Sequence, residues 1–389
     1  MKQPCRVHIK QGEDADMGKN RMTRQERELR AQKKKKRRRR RVVVLIAELI
    51  ILAVLCVVAY GMFKLDLLNH SFFDEESILN NGVNQEGFKN VALFGTDNRA
   101  GETSGVRSDC IIVASINTNT KEVNMLSVYR DTMLLQEDGY FDKANSAYAT
   151  GGPEAAINML NRNLDLDITD YVTVNFLALA DAVDQLGGID LELTDEEVVH
   201  MNNYCVETSE ITGKDYERIE PETAGTYHLN GVQAVSYARI RYTAGGDFTR
   251  TSRQRLVIEK LVEKAKQADL LTINRVIDAV FPEISTSFTT SELIGLAADV
   301  FSYQLGENSG FPFDLEMPES VPGYTGSYVV PADLEGNVRK AHAFLFGKEN
   351  YEPTETVREI SAQLSDMTGI YGVENDVDST QESATDSVE

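Results

Sequence analysis

An unbroken basic run, residues 33–41, leads straight into residues 42–63, a stretch whose only charge is Glu48. At 1.5 Å per residue such a stretch reaches about 33 Å as a helix, and a bilayer core is about 30 Å thick. It is apolar all round, whereas the core helix of a globular domain keeps a polar face. Glu48 sits near the basic end, where a carboxylate costs less than at the bilayer centre. The segment reads as a transmembrane signal anchor, with residues 1–41 cytoplasmic and residues 64–389 outside. A cleaved signal peptide fits less well, because its apolar part is usually only about 7–15 residues long.

The charge divides at the same boundary. The 389-residue chain has 40 Lys and Arg against 61 Asp and Glu. Residues 1–41 hold 17 basic and 5 acidic residues, so residues 42–389 hold 23 and 56, a net of −33. A nucleic-acid binder along the whole chain is disfavoured, since most of the protein would repel phosphates. Beside a membrane span, the basic run suits topology and anionic-lipid contact. Only Cys110 and Cys205 of the four cysteines lie in the outer part. That is no disulfide scaffold, and it leaves open whether those two pair.

Beyond a polar stalk at 64–86, the pattern is α/β. Residues 90–94 are a short apolar run before Gly95-Thr96-Asp97. Residues 109–116 are apolar on both faces, as in a central strand, and form a hairpin with 123–128. Residues 152–164 predict a helix with Pro153 in its first turn. A strand at 171–175 and a helix at 176–186, closed by Gly187-Gly188, follow. Residues 189–193 alternate like a partly exposed strand, and 195–226 read as a polar, irregular excursion or lid. Asn230 is placed to cap a helix over 231–238, and Thr249 one running to about Gln267. Helices near 272–280, 290–303 and 334–346 and a strand at 327–330 complete the domain, set at 87–350. Residues 351–389 form a C-terminal segment, acidic and expected to be disordered after about 373.

There is no G-x-S-x-G elbow, no Walker A loop and no G-x-G-x-x-G after a strand. The five histidines show no metal-ligand spacing. What stands out instead is where an acidic protein keeps its arginines. Arg239, Arg241, Arg250, Arg253 and Arg255 fall within 17 positions, and Arg99, Arg107 and Arg130 stand near strand ends beside aspartates. Asp97 and Asp109, at neighbouring strand ends, are able to share one hard cation such as Mg²⁺. Arg239 and Arg241 share a face in extended backbone. Arg250, Arg253 and Gln254 make one patch in the first turns of a helix. Arginine forks, a helix N-terminus and a metal clamp together describe a polyphosphate site. The competing reading is a set of surface ion pairs, each worth about 0–1 kcal/mol.

Six ordered blocks carry a resemblance: LFGTDNR (93–99), GVRSDCIIVASIN (105–117), SVYRDT (127–132), KANSAYATGGP (143–153), LNGVQAVSYARIRY (229–242) and DFTRTSRQR (247–255). With them the chain resembles the LytR–CpsA–Psr family of cell-wall ligases, clearly over 90–265. The resemblance implies one N-terminal span and an extracytoplasmic three-layer α/β/α domain with a central mixed sheet. It implies transfer of a phospho-glycopolymer, such as teichoic acid or capsule, from an undecaprenyl-pyrophosphate carrier to peptidoglycan. Asp97 and Asp109 match the family's Mg²⁺-linked aspartates, with Mn²⁺ as the alternative ion. Asp97, Asp109 and Arg130 are the implied catalytic residues. Arg107, Lys143, Arg239, Arg241, Arg250 and Gln254 match the substrate-binding positions. Phe176, Leu177, Leu179, Val183 and Leu186 are candidates to line the family's lipid tunnel. Two departures are Tyr129, where many members have proline, and a short loop from Arg241 to Asp247. The implied setting is the cell membrane of a bacterium with a Gram-positive wall. A polyprenyl-pyrophosphate hydrolase, a non-catalytic wall-polymer binder and a membrane-bound regulator are the competing functions.

Overall fold

Alternation in the segment FKNVALFGT builds the strand at the centre of the main sheet. Its Ala92 and Phe94 join one core, while Leu93 faces a cavity on the other side. The computed structural model describes residues 61, 69–70, 77–97, 105–299 and 302–372. Apart from Gly61, these fall in one unit, Met62–Glu389. The basic tail 1–41, the expected span apart from Gly61, Arg99 and the acidic tail after 373 lie outside the described residues. Among the described residues, no helix is long and apolar enough to cross a membrane.

The strands are β1 (Asn69–His70), β2 (Phe88–Thr96), β3 (Ser108–Asn117), β4 (Glu122–Val128), β5 (Met133–Leu135) and β6 (Phe141–Lys143). They continue as β7 (Asp170–Asn175), β8 (Ile189–Leu193), β9 (Gly225–Leu229), β10 (Ile284–Thr286), β11 (Gln304–Phe311), β12 (Leu315–Glu316) and β13 (Val330–Pro331). The main sheet has the order β1-β10-β7-β2-β3-β4-β11 and is mixed. β2 runs antiparallel to β3 and parallel to β7, and β3 runs antiparallel to β4. The C-terminal ends of β2, β4 and β7 therefore meet the N-terminal end of β3 at one edge. The ends of strands at such an edge are where open α/β sheets place ligands.

The helices are α1 (Ala144–Leu164), α2 (Phe176–Gln185), α3 (Asp195–Thr212), α4 (Gly231–Arg239), α5 (Gly246–Gln267), α6 (Leu270–Val280), α7 (Thr290–Asp299), α8 (Leu334–Phe346) and α9 (Glu355–Thr368). On one face of the sheet, α1, α8 and α9 close over Phe94, Ile111, Val113 and Leu126. A second core joins α2, α3, α4 and α5 to the β8–β9 hairpin through Val183, Leu191, Met201, Tyr237 and Val257.

Several expectations change. Residues 195–212 are not irregular but form α3, opened by a capping box in which Thr194 and Glu197 satisfy each other's end groups. The charge of that segment hid its helix signal, because its buried residues are few and spaced by polar ones. α5 begins at Gly246 after Gly245 at φ +87°, and Thr249 bonds back to the Ala244 carbonyl instead of capping. The helix expected at 290–303 is described over Thr290–Asp299, residues 302–303 lie outside any helix, and the edge strand β11 begins at Gln304. The late strand shortens to Val330–Pro331. Helix α1 gains residues 144–150, separated by a kink at Gly151-Gly152 from the stretch that Pro153 opens. Residues 69–70 and 77–86, read as stalk, are packed into the domain: β1 joins the sheet, and Leu79 N–H donates to Asn158 Oδ1 at 2.8 Å.

Candidate active site

The hairpin β2–β3 carries Asp97 just past one strand end and Asp109 at the start of the next, with Thr96 paired to Ser108. Arg130 follows β4 across the same edge. α4 ends at Arg239, so Arg239 and Arg241 are delivered to this edge from the second core, and Arg250 comes from the first turns of α5. The outcome is a polar cleft of about 430 Å³ lined by Asp97, Arg107, Asp109, Arg130, Arg239, Arg241 and Arg250, with Phe176 and Tyr204. Five guanidinium groups against two carboxylates make it a basic pocket in an acidic protein.

Asp109 is the hub. Its Oδ1 accepts from Arg130 Nη1 at 2.8 Å and its Oδ2 from Arg241 Nη2 at 2.7 Å. Arg250, with a side chain only 2% exposed, donates to the Asp109 carbonyl at 2.7 Å and lies 3.5 Å from Oδ2. Burial pushes the Asp109 carboxyl up, but the charges of Arg250, Arg130 and Arg241 outweigh it and hold the group below the usual carboxylate range. Burial also works against the charge on Arg130, yet Asp109 and Asp131 keep that guanidinium firmly protonated. Asp97, at the rim, shifts the other way, raised by desolvation and then by the charge of Asp109.

Asp131 and Asp247, which the sequence alone does not single out for a role, support this layer from behind. Asp131 holds Lys143 Nζ at 2.7 Å and lies 3.4 Å from Arg130 Nε. Asp247 sits 3.1 Å from Arg250 and 3.8 Å from Arg130, and its two buried carboxylate oxygens lack a hydrogen bond of good geometry. Its pKa is raised, chiefly by burial. The signal for both was the Arg–Asp adjacency in YRDT and the i,i+3 spacing of Asp247 and Arg250.

Two expected site residues stand apart from the cleft. Lys143 reaches Asp131 and the Tyr328 ring, 5.1 Å away, and does not line the pocket. Gln254 lines a different cavity, and Arg253, expected beside it, turns inward to Glu197 at 2.9 Å. Arg239 does reach the cleft, held by Glu207 at 2.8 Å and Thr208, and sandwiched against Phe176 and Tyr204. Tyr129 packs edge-on against Phe248 at 4.5 Å, and Gly310 leaves room for its hydroxyl.

The cavity that holds Gln254 is apolar, about 320 Å³, and lies between the sheet and helices α2, α5 and α6. Leu93, Ile112, Phe176, Leu179, Ile258 and Val280 are among its walls. Of the tunnel candidates, Phe176 and Leu179 line it, whereas Val183 belongs to the second core. Asp109 and Phe176 line both this cavity and the basic cleft. Cys110 is another wall residue; it and Cys205 are free thiols, and burial pushes the Cys110 thiol up to about 12.

The sequence profile of the LytR_cpsA_psr family matches residues 67–306. The chain belongs to the LytR–CpsA–Psr family. Its relatives in that family include a polyisoprenyl-teichoic acid–peptidoglycan teichoic acid transferase, TagU, of Enterococcus faecalis, 33% identical over 56% of this chain and 66% of the relative. TagV of Bacillus subtilis, with the same transferase name, is 27% identical over 64% of each chain. The chain thus spans just under two thirds of the length of these relatives. A crystal structure from Enterococcus faecalis, described as a transcriptional regulator, shares the fold of this chain. It is 23% identical, with a TM-score of 0.55 over 74% of this chain and 98% of that one.

Proposed function

We propose that this chain is a phosphotransferase that joins a polyprenyl-pyrophosphate-linked anionic glycopolymer to peptidoglycan through a phosphodiester. One observation carries the reading: a basic cleft and an apolar cavity meet at Asp109 and Phe176. A ligand that fills both has a hydrocarbon tail and a polyanionic head. An undecaprenyl pyrophosphate has that chemistry, and the transferase names of the relatives agree with it.

In this reading the tail lies in the apolar cavity, beside Leu179, Ile258 and Gln254. The pyrophosphate takes the guanidinium groups of Arg107, Arg130, Arg239, Arg241 and Arg250, whose forks match phosphate geometry. A sugar hydroxyl of peptidoglycan attacks the phosphorus next to the glycopolymer. A new P–O bond forms, the bond to the bridging oxygen breaks, and undecaprenyl phosphate leaves as the hydroxyl proton passes to a carboxylate. Arginines placed before the reaction stabilise the charge that builds on the leaving phosphate. Lys143 acts one layer back, holding Asp131 and through it Arg130.

Asp97 and Asp109 fit a divalent cation. Mg²⁺ takes one or two carboxylates, with waters and substrate phosphates completing its shell. Burial, and after it the charge of Asp109, makes the Asp97 carboxylate costly to ionise, a cost that a cation relieves. When bound, Mg²⁺ supplies charge neutralisation at the pyrophosphate. The same reading places the domain outside the cytoplasmic membrane, tethered by the span at 42–63, where both substrates are found.

The test supplies lipid-linked polymer with and without peptidoglycan. A polymer–peptidoglycan phosphodiester supports the ligase. Free polymer phosphate, formed equally in both cases, makes the protein a hydrolase instead.

A further inference from the structure

A second cleft, of about 410 Å³, lies beside the β5–β6 hairpin and the loop that carries Gly323. Its walls include Tyr140, Tyr324 and Tyr328, with Glu137, Asp138 and Asp142, and contain no Lys or Arg. Tyr140 is 72% exposed, so its ring is open to a ligand at the mouth of the cleft. Tyr324 and Tyr328 meet edge to face at 5.7 Å, so each fixes the other's plane. Asp142 receives both the Lys143 N–H, at 2.7 Å, and the Tyr328 hydroxyl, at 3.2 Å, on Oδ1. Its other oxygen is left to accept from a ligand.

A relay of side-chain contacts links this cleft to the phosphate site. Arg130 contacts Asp131, Asp131 holds Lys143, and Lys143 lies over the Tyr328 ring. The apolar cavity and the basic cleft share Asp109 and Phe176, and the tyrosine cleft is tied to the basic cleft through Asp131 and Lys143.

We propose that the tyrosine cleft binds an uncharged pyranose ring of the acceptor glycan, which presents its hydroxyl to the phosphorus held at Arg130. Pyranose C–H groups are polarised positive and stack on the negative face of an aromatic ring. Sugar hydroxyls donate to carboxylates, and here Asp138, Asp142 and Glu137 accept. The absence of lining cations, with three carboxylates present, disfavours the anionic donor polymer and favours a neutral amino-sugar strand. This inference rests on the ligase reading for its place in the reaction, but not for its chemistry.

The test uses the full chain in detergent and a tetrasaccharide of N-acetylglucosamine, followed by calorimetry. The wild type binds it, and Tyr140→Ala and Tyr324→Ala each weaken binding about tenfold. Geranylgeranyl pyrophosphate binding stays unchanged in both, which shows that the fold and the phosphate site are intact. In a transfer assay Tyr140→Ala raises KM for peptidoglycan about tenfold and leaves kcat within about twofold. If KM for the lipid donor rises instead, the cleft holds the donor sugar and the acceptor assignment is overturned. If the wild type binds no tetrasaccharide and neither variant moves the acceptor KM, the cleft is not a sugar site. If no transfer occurs with any acceptor while Tyr140→Ala still weakens tetrasaccharide binding, the ligase reading fails and the sugar site stands.

Discussion

Nη1 of Arg130 lies 2.8 Å from Oδ1 of Asp109, and Arg241 takes the other oxygen of the same carboxylate. One anion thus gathers guanidinium groups that would otherwise repel each other, and keeps them aimed at the cleft where phosphates are to bind. Because those arginines hold the Asp109 pKa below its ordinary value, the charged form contributes stability above an unfolded pKa of about 3.9. That contribution fades as pH falls through the lower folded value. Asp109→Asn is therefore expected to melt below the wild type at pH 7, with the gap closing below about pH 4. Thermal denaturation across that range checks it; a gap independent of pH would mean that the carboxylate charge is not what holds the arginines.

The apolar cavity can be tested apart from the cleft. Ala182 is one of its wall residues. Ala182→Phe puts a ring into the space and is expected to weaken geranylgeranyl pyrophosphate binding about tenfold or more, while inorganic pyrophosphate binds as before. Equal loss of both ligands in a titration would show that the cavity does not hold the tail.

Gly231 opens α4 where that helix meets α2. A Cβ there would lie 2.2 Å from the Ala180 carbonyl oxygen, and backbone atoms cannot step aside. Gly231→Ala is expected to cost about 1–3 kcal/mol in urea unfolding, as overpacking does. Since α4 delivers Arg239 and Arg241, activity should fall with stability.

His342 is fully buried, stacks on Tyr351 at 3.6 Å and bonds the Leu164 carbonyl through Nε2 at 3.0 Å. Burial pushes its pKa from 6.5 down to about 4. The unfolded chain takes up this proton first as pH falls, so stability drops from about pH 6.5 to pH 4, by about 3 kcal/mol at most. His342→Leu should lose that portion of the pH dependence, read as the difference in unfolding free energy between pH 7 and pH 5. An unchanged difference would place the acid sensitivity elsewhere.

Much of the sheet could be read from the sequence because β2, β3 and β4 alternate or run apolar, and their turns carry Gly and Asn. The basic cleft was legible because arginine is scarce in the outer part and stands beside aspartate. Helix α3 was not, since its charged first turn looks like a loop until the Thr194–Glu197 capping box is seen in place. The separation of Gln254 from Arg253 was also hidden. Adjacent residues on a helix point about 100° apart, and only packing decided that one faces the cavity and the other Glu197. The roles of Asp131 and Asp247 depend on strands and helices brought together from distant parts of the chain.

The most direct measurement is the rate of transfer from a lipid-linked polymer to peptidoglycan in Arg130→Ala and Arg241→Ala. Each is expected to lose about 10²–10³-fold in turnover, the usual effect of removing one preorganised donor at a developing charge. Turnover within about threefold of wild type in both variants would contradict the assignment of the Asp109 arginine cluster as the phosphate-transfer site.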